Sequence, residues 1–205
     1  MFTHLWNLGR EADFYLLWHI NSGWISPFLD RLMLIVSTPR FFVWPALVAI
    51  AALLRFGGRR GRVFLLLLVL AIGLGDGVID NFGKKLVRRA RPNEAMVGLR
   101  VVDETGVSES WPLLHPGGRS FPSGHVFNNV SLAMLVCAVY GARRFWWVWF
   151  WAALIGYSRV YLGAHYPSDV LGTAILSILF NLALLAGARW AWRRWRSPWN
   201  APTLF

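Results

Sequence analysis

Long apolar runs separated by short arginine clusters set the pattern of this chain. Residues 41–54 are almost wholly apolar. Residues 63–79 form a second run, broken by glycines and Asp76, and 126–140, 145–157 and 170–192 follow. A helix crossing a bilayer needs ~20 mostly apolar residues, which these runs approach once their flanks are included. A weaker run, 25–38, carries Asp30 and Arg31. Before it, residues 2–20 hold Arg10, Glu11 and Asp13 at their middle, the pattern of an amphipathic helix lying in the membrane interface. The predicted fold is all-α: a six-helix transmembrane bundle with an N-terminal interfacial helix (residues 1–22). It forms a single membrane-embedded domain over 1–205, with an outer loop at 92–122 and a cytoplasmic tail at 189–205. No internal repeat or linker divides it.

Composition excludes the soluble alternatives. Of 205 residues, 56% are hydrophobic, and the mean hydropathy is +0.45, too apolar for an ordinary soluble domain. The net charge of +11 suits an anionic membrane surface; nucleic-acid binders do not carry several long apolar runs. The single cysteine, Cys137, lies in an apolar run, can form no internal disulfide, and reads as a small buried residue. The N-terminus lacks the basic start, apolar stretch and small-residue cleavage site of a signal peptide, so the spans themselves are expected to direct insertion.

Charge sets the orientation. Arg55, Arg59, Arg60 and Arg62 fill one loop, Arg143 and Arg144 another, and Arg189, Arg193, Arg194 and Arg196 follow the last span. Counting helices puts all three clusters on one side, which the positive-inside rule makes cytoplasmic, with both termini. Trp146, Trp147, Trp149 and Trp151, and Trp190, Trp192, Trp195 and Trp199, form aromatic belts near span ends. A second set of cations breaks the rule: Lys84, Lys85, Arg88, Arg89, Arg91, Arg100, Arg119 and Arg159 lie on the outer side or at outer helix ends. An anion bound at the outer face would explain that excess.

Three clusters at the outer ends of spans carry the chemistry. Lys84 and Arg91, seven residues apart, fall near one helical face, where a point charge and a guanidinium fork can hold phosphate oxygens. Pro92 then ends the helix. Alone, such residues are ordinary snorkelling anchors. Pro122, Ser123, Gly124 and His125 open an apolar helix and bring a hydroxyl, helix-end N–H groups and a proton donor together. Alone, Ser123 reads as an N-cap. In the third cluster, Arg159 is a phosphate donor. Asp169 lies one helical turn after His165, where it can hold one ring nitrogen and leave the other free to attack. Cations, helix-end N–H groups, a nucleophile and a second histidine on one side make a phosphoryl-transfer inventory.

With these motifs the sequence resembles the type-2 phosphatidic acid phosphatase family. That superfamily also holds glucose-6-phosphatases, undecaprenyl diphosphate phosphatases, lipid A phosphatases and vanadium haloperoxidases. Lys84, Arg91 and Pro92, then Pro122 to His125, then Ser158, Arg159, His165 and Asp169 match its three-part signature in order and spacing. The resemblance implies that His165 attacks phosphorus to form a phosphohistidine, oriented by Asp169. It makes His125 the donor to the leaving oxygen, and Lys84, Arg91, Ser123, Gly124 and Arg159 the phosphate ligands. It implies no metal and no cofactor, because the cations do the electrostatic work.

The expected partners are a membrane lipid substrate and the bilayer, with no nucleic acid and no obligate protein partner. Undecaprenyl diphosphate is the expected substrate; lipid A and phosphatidylglycerophosphate are alternatives, as is transfer to a lipid acceptor. An anion transporter would use the outer cations but leaves the His165 and Asp169 spacing unexplained. Asp80, one turn before Lys84, is expected to hold it; Asp30 and Arg31 are expected to serve packing, and His115 to be solvated surface.

Overall fold

The structure, a computed structural model, describes residues 2–78, 83–117 and 119–195. Asp80, Gly118 and residues 196–205 lie outside them, and so do the expected Asp80–Lys84 contact and most of the predicted tail; the side chain of Asp76 is likewise not described.

Five helices carry the apolar runs: α3 (Val43–Phe56), α4 (Gly58–Val78), α7 (Gly124–Tyr140), α9 (Val148–Tyr161) and α10 (Pro167–Trp195). Helix α7 is central and packs against α4, α9 and α10. Phe64, Leu67 and Ala71 of α4 meet Leu135 and Val139 of α7 and Leu185 of α10. Val126, Val130 and Ala133 of α7 meet Val148 and Ala152 of α9. Helix α3 buries no residue and rests on α4, as expected of a lipid-facing helix. Among the described residues, two stretches, Pro39–Phe56 and Pro167–Arg194, are long and apolar enough to cross a bilayer by themselves; Gly124–Tyr140 is apolar but shorter.

Small polar residues join α7 to α10. Asn181 donates to Ser131 Oγ (2.8 Å), and Ser177 donates to the Phe127 carbonyl (2.9 Å). Such bonds hold helices together where no hydrophobic effect separates protein from lipid. Close backbone approach does the same for α4. A Cβ on Gly75 would sit 2.2 Å from Cε1 of Phe127, a ring with no exposed surface. Gly75→Ala must therefore push α4 off α7. A loss of about 1–3 kcal/mol is expected, measured as a lower Tm in detergent.

The N-terminal part departs from expectation. The span expected at 25–38 is realised as α2 (Pro27–Ser37), of 11 residues. At 1.5 Å per residue it is about 16 Å long, half the ~30 Å hydrocarbon core. Its ends are tied to one end of α9: Asp30 accepts from the Tyr161 hydroxyl (2.7 Å), and Arg159 donates to Ser37 Oγ. Asp30 also pairs with Arg100, not Arg31, consistent with the packing role expected of it. Helix α1 (Phe2–Trp18) is not purely interfacial either. Leu17 is fully buried and Asp13 nearly so.

The loop expected at 92–122 contains secondary structure. After α5 (Lys84–Val87) and α6 (Pro92–Ala95), strands β1 (Arg100–Asp103) and β2 (Gly106–Glu109) form an antiparallel hairpin pairing Arg100 with Glu109 and Asp103 with Gly106. Asp103 Oδ1 caps the turn by accepting from Thr105 N–H and hydroxyl (2.8 and 2.6 Å), and Gly106 takes a positive φ of 134°. The fold is thus helical with one hairpin. Val102 packs with Met33 of α2 and Tyr161 of α9, fastening the hairpin to the same end of the bundle.

That end has a fixed polarity. Helix α7 begins there, and α9 finishes there. Arg55, Arg59 and Arg60, then Arg143 and Arg144 of α8 (Ala142–Phe145), then Arg193 and Arg194 lie at the opposite helix ends, where Phe64 meets Tyr140.

Candidate active site

Backbone hydrogen bonds stitch the three sequence clusters into one site. Asn93 N–H donates to the Gly163 carbonyl (3.2 Å), joining the first cluster to the third. Ser120 N–H donates to the Arg89 carbonyl (2.9 Å), joining the first to the second. His165 N–H turns back onto the Arg159 carbonyl (3.2 Å) in a tight turn containing Gly163 at φ 71°.

Lys84 and Arg91 do not share a helical face. Helix α5 ends at Val87, Arg88 takes a left-handed conformation (φ 47°), and Arg91 is extended (φ −71°, ψ 152°). Pro92 forbids the helical conformation to the residue before it, so the chain unwinds between the two cations. Lys84 stays half-exposed at the head of α5, while Arg91 turns inward and buries its Nε.

Ser123 caps α7 in an extended conformation without using its hydroxyl. Its own N–H donates to Thr173 Oγ1 (2.9 Å), so that group is taken. The N–H groups of the first helical turn, from Gly124 onward, have no intrahelical acceptor, as in any helix. Asn129, one turn on, donates to the His125 carbonyl (2.8 Å). Arg159 reaches the site from the last turn of α9 and is held by Ser37. Sequence reasoning missed Ser37. Three buried donors, Ser123 Oγ, Arg91 Nε and Arg159 Nε, have no partner among the described residues. Native interiors rarely leave such groups unpaired, and these three suit an anion.

His165 lies in the turn between α9 and α10 and is 3% exposed. The expected direct bond to Asp169 is not made. Its Nδ1 lies 2.6 Å from the Ser120 carbonyl. A carbonyl only accepts, so Nδ1 carries the proton and Nε2 keeps its lone pair. Asp169 stands one step back. It accepts from Ser120 Oγ and from the Tyr166 N–H (3.1 Å), and it pairs with Arg89 (2.7 Å). Ser120, Arg89 and Asp13 were not among the expected site residues. The cations at this end of the bundle are partly neutralised within the protein, since Arg89 and Arg100 both have carboxylate partners.

Burial, with Arg159 and then Arg91 close by, pushes the His165 imidazole down from 6.5 to about 3. The ring is therefore neutral at physiological pH. Because the unfolded chain binds this proton more readily, stability is full above 6.5 and is lost as pH falls from there toward 3. A Tm that declines with acid over that window, and declines less in His165→Gln, is expected from thermal scans across pH.

Known proteins are similar to this chain in sequence and in fold. The sequence is 28% identical over 174 residues to a lipid A 4'-phosphatase of Bacteroides thetaiotaomicron, covering 81% of this chain and 72% of that one. It is 26% identical over 174 residues to an undecaprenyl-diphosphatase of Sulfolobus acidocaldarius, covering 83% and 74%. The fold matches the crystal structure of a transmembrane PAP2-type phosphatidylglycerolphosphate phosphatase from Bacillus subtilis with a TM-score of 0.61, at 24% identity over 93% of this chain and 90% of that one. Residues 63–196, which contain all three clusters, match the PAP2 superfamily. By that match, over about two thirds of its length, the chain belongs to the PAP2 superfamily.

Proposed function

We propose that this membrane lipid phosphatase hydrolyses a phosphomonoester or diphosphate of a membrane lipid through a phosphohistidine on His165. The observation that carries the reading is a neutral imidazole whose tautomer leaves Nε2 unprotonated, with Arg91 and Arg159 beside it and orphaned donors on both and on Ser123 at the head of α7. Nε2 forms a bond to phosphorus as the bond to the lipid oxygen breaks, and His125 gives that oxygen a proton. His125 then takes a proton from water as the water oxygen bonds phosphorus and the N–P bond breaks, releasing inorganic phosphate. Arg91, Arg159, Ser123, the Gly124 N–H and Lys84 hold the oxygens on which charge accumulates. Asp169 fixes the nucleophile indirectly. The electrostatic work falls to cations, so no metal is required.

For substrate we favour undecaprenyl diphosphate, with lipid A and phosphatidylglycerophosphate as alternatives; the named relatives act on lipids of this kind. The arginine clusters opposite the site favour a site at the outer face of a bacterial inner membrane, with a cytoplasmic C-terminus. Inorganic phosphate release from a panel of lipid phosphates and diphosphates, with EDTA present, tests the reaction and ranks the substrates. Release that requires added metal, or none from any lipid, would sink the proposal. Reporter fusions at the C-terminus and at Gly106 test the orientation, which a cytoplasmic Gly106 would reverse.

A further inference from the structure

The catalytic reading leaves one buried ionic cluster unused. Asp13, on α1, is 6% exposed. Its Oδ1 accepts from the Ser168 N–H (2.8 Å), and its Oδ2 accepts from the Ser168 hydroxyl (2.6 Å). Ser168 lies in the first turn of α10, whose N–H groups have no intrahelical acceptor. Asp13 therefore caps α10 from another helix, 155 residues away in sequence. Its Oδ2 also accepts from Arg89 Nη2 (2.6 Å), and Arg89 Nη1 donates to Asp169 Oδ1 (2.7 Å) and to Ser168 Oγ (2.7 Å). The guanidinium lies 3.8 Å from the centre of the Tyr166 ring. One guanidinium thus bridges two buried carboxylates. Burial works against its charge, and the two carboxylates more than offset that, so its pKa is raised.

The far end of this cluster is the nucleophile. Asp169 Oδ2 holds the Ser120 hydroxyl, and the carbonyl of the same residue holds His165 Nδ1. Asp169 does not touch the imidazole. Its control of the ring passes through the Ser120 peptide, and Arg89 fixes the rotamer of Asp169. We propose that Asp13 and Arg89 are positioning residues, through which the N-terminal helix, Asp169 and the Ser120 peptide hold His165 in its attacking tautomer. The site is then incomplete without α1, although α1 carries none of the three signature clusters. This inference rests on the reading of His165 as nucleophile. Remote partners of a reactive group commonly act this way, by orientation and not by contact.

Asp13→Asn and Arg89→Gln test it in the full-length protein in detergent, with two readouts. In steady-state hydrolysis of the best lipid substrate, kcat is expected to fall about 10- to 100-fold with KM unchanged, and Asp13→Glu and Arg89→Lys to recover part of the loss. Nitrogen-15 NMR of labelled histidine, with the His165 signals identified by their loss in His165→Gln, is expected to show protonated Nδ1 in the parent protein and a tautomer mixture in Arg89→Gln. Assembled variants with the parental kcat and tautomer would overturn the proposal. So would a kcat loss that follows Tm alone while the tautomer stays fixed. Should Arg89→Gln fail to assemble, Arg89→Lys and Asp13→Glu carry both readouts. If the parent protein released no phosphate, the hydrolase reading would fall, and the NMR comparison would still decide whether Arg89 sets the tautomer.

Discussion

Phosphate release by His165→Ala is expected to fall by at least about 10⁴-fold, because on the proposed mechanism losing the imidazole removes the covalent route entirely. What remains is direct attack by water in a pocket that still has Arg91, Arg159 and the head of α7. That residue of catalysis is the electrostatic part, and the phosphate ligands should keep substrate affinity close to that of the parent protein. The mutation opens space in a turn where the ring is 3% exposed, so His165→Gln is the control for packing. It retains bulk and a group able to reach the Ser120 carbonyl, yet offers no imidazole nitrogen. Equal losses in both variants would assign the effect to chemistry. Rapid quenching with labelled substrate adds a direct reading: an acid-labile phosphoryl adduct in the parent protein and none in either variant. Release surviving in both variants would remove His165 from the reaction.

What was legible in the sequence was local. The apolar runs became the helices of the bundle, because a 3.6-residue repeat in an apolar environment leaves the backbone few other ways to satisfy its hydrogen bonds. The places of the Pro122–His125 and Arg159–Asp169 clusters in the fold were legible, because each lies within a few residues of a helix end, although the contact within the latter was not. The Lys84–Arg91 pair was misplaced. Lys84 and Arg91 fit a helical spacing that Pro92 prevents, a conflict visible in the sequence itself. The hairpin has a local signal too, Val101, Val102 and Val107 flanking an Asp-Glu-Thr-Gly turn, within what was expected only as a loop at 92–122.

Long-range partners were not legible. Asp13 and Ser168 are 155 positions apart, Arg89 and Asp169 80, Ser37 and Arg159 122. No local period reports such pairs. The one available hint was a charge without an evident role: Asp13 in the middle of α1, and Arg89 among cations on the wrong side. Both proved to be each other's partner. The expected contact between His165 and Asp169 failed for a related reason. Spacing of four places two residues on one helical face only if both are in the helix, and α10 begins at Pro167, after His165. The imidazole lies in the preceding turn and finds the Ser120 carbonyl instead.

Arg159→Ala is expected to produce two effects on the same residue. The first is a fall in kcat of about 10²–10³-fold, the usual cost of removing one donor aimed at transition-state charge. Phosphoryl transfer spreads that charge over three equatorial oxygens, and a guanidinium can meet two of them at once. Arg159 is prepared for this: Ser37 takes one Nη and leaves Nε buried and unpaired. Arg159→Lys should lose nearly as much, since one ammonium cannot hold Ser37 and present a planar fork together. The second effect is on His165. After burial, Arg159 is the largest cause of its depressed basicity, so removing the guanidinium lets the imidazole rise from about 3 toward 6.5. Less stability is then lost on acidification, and the decline of Tm between 6.5 and 3 becomes shallower in Arg159→Ala but not in Arg159→Lys, which keeps the charge. Activity and the Tm profile against pH, measured on both variants, separate the two roles. A lysine variant that keeps the steep profile but loses the rate would assign geometry to catalysis and charge to the nucleophile's ionisation. An unchanged profile in Arg159→Ala would mean that the guanidinium does not act on His165 at all.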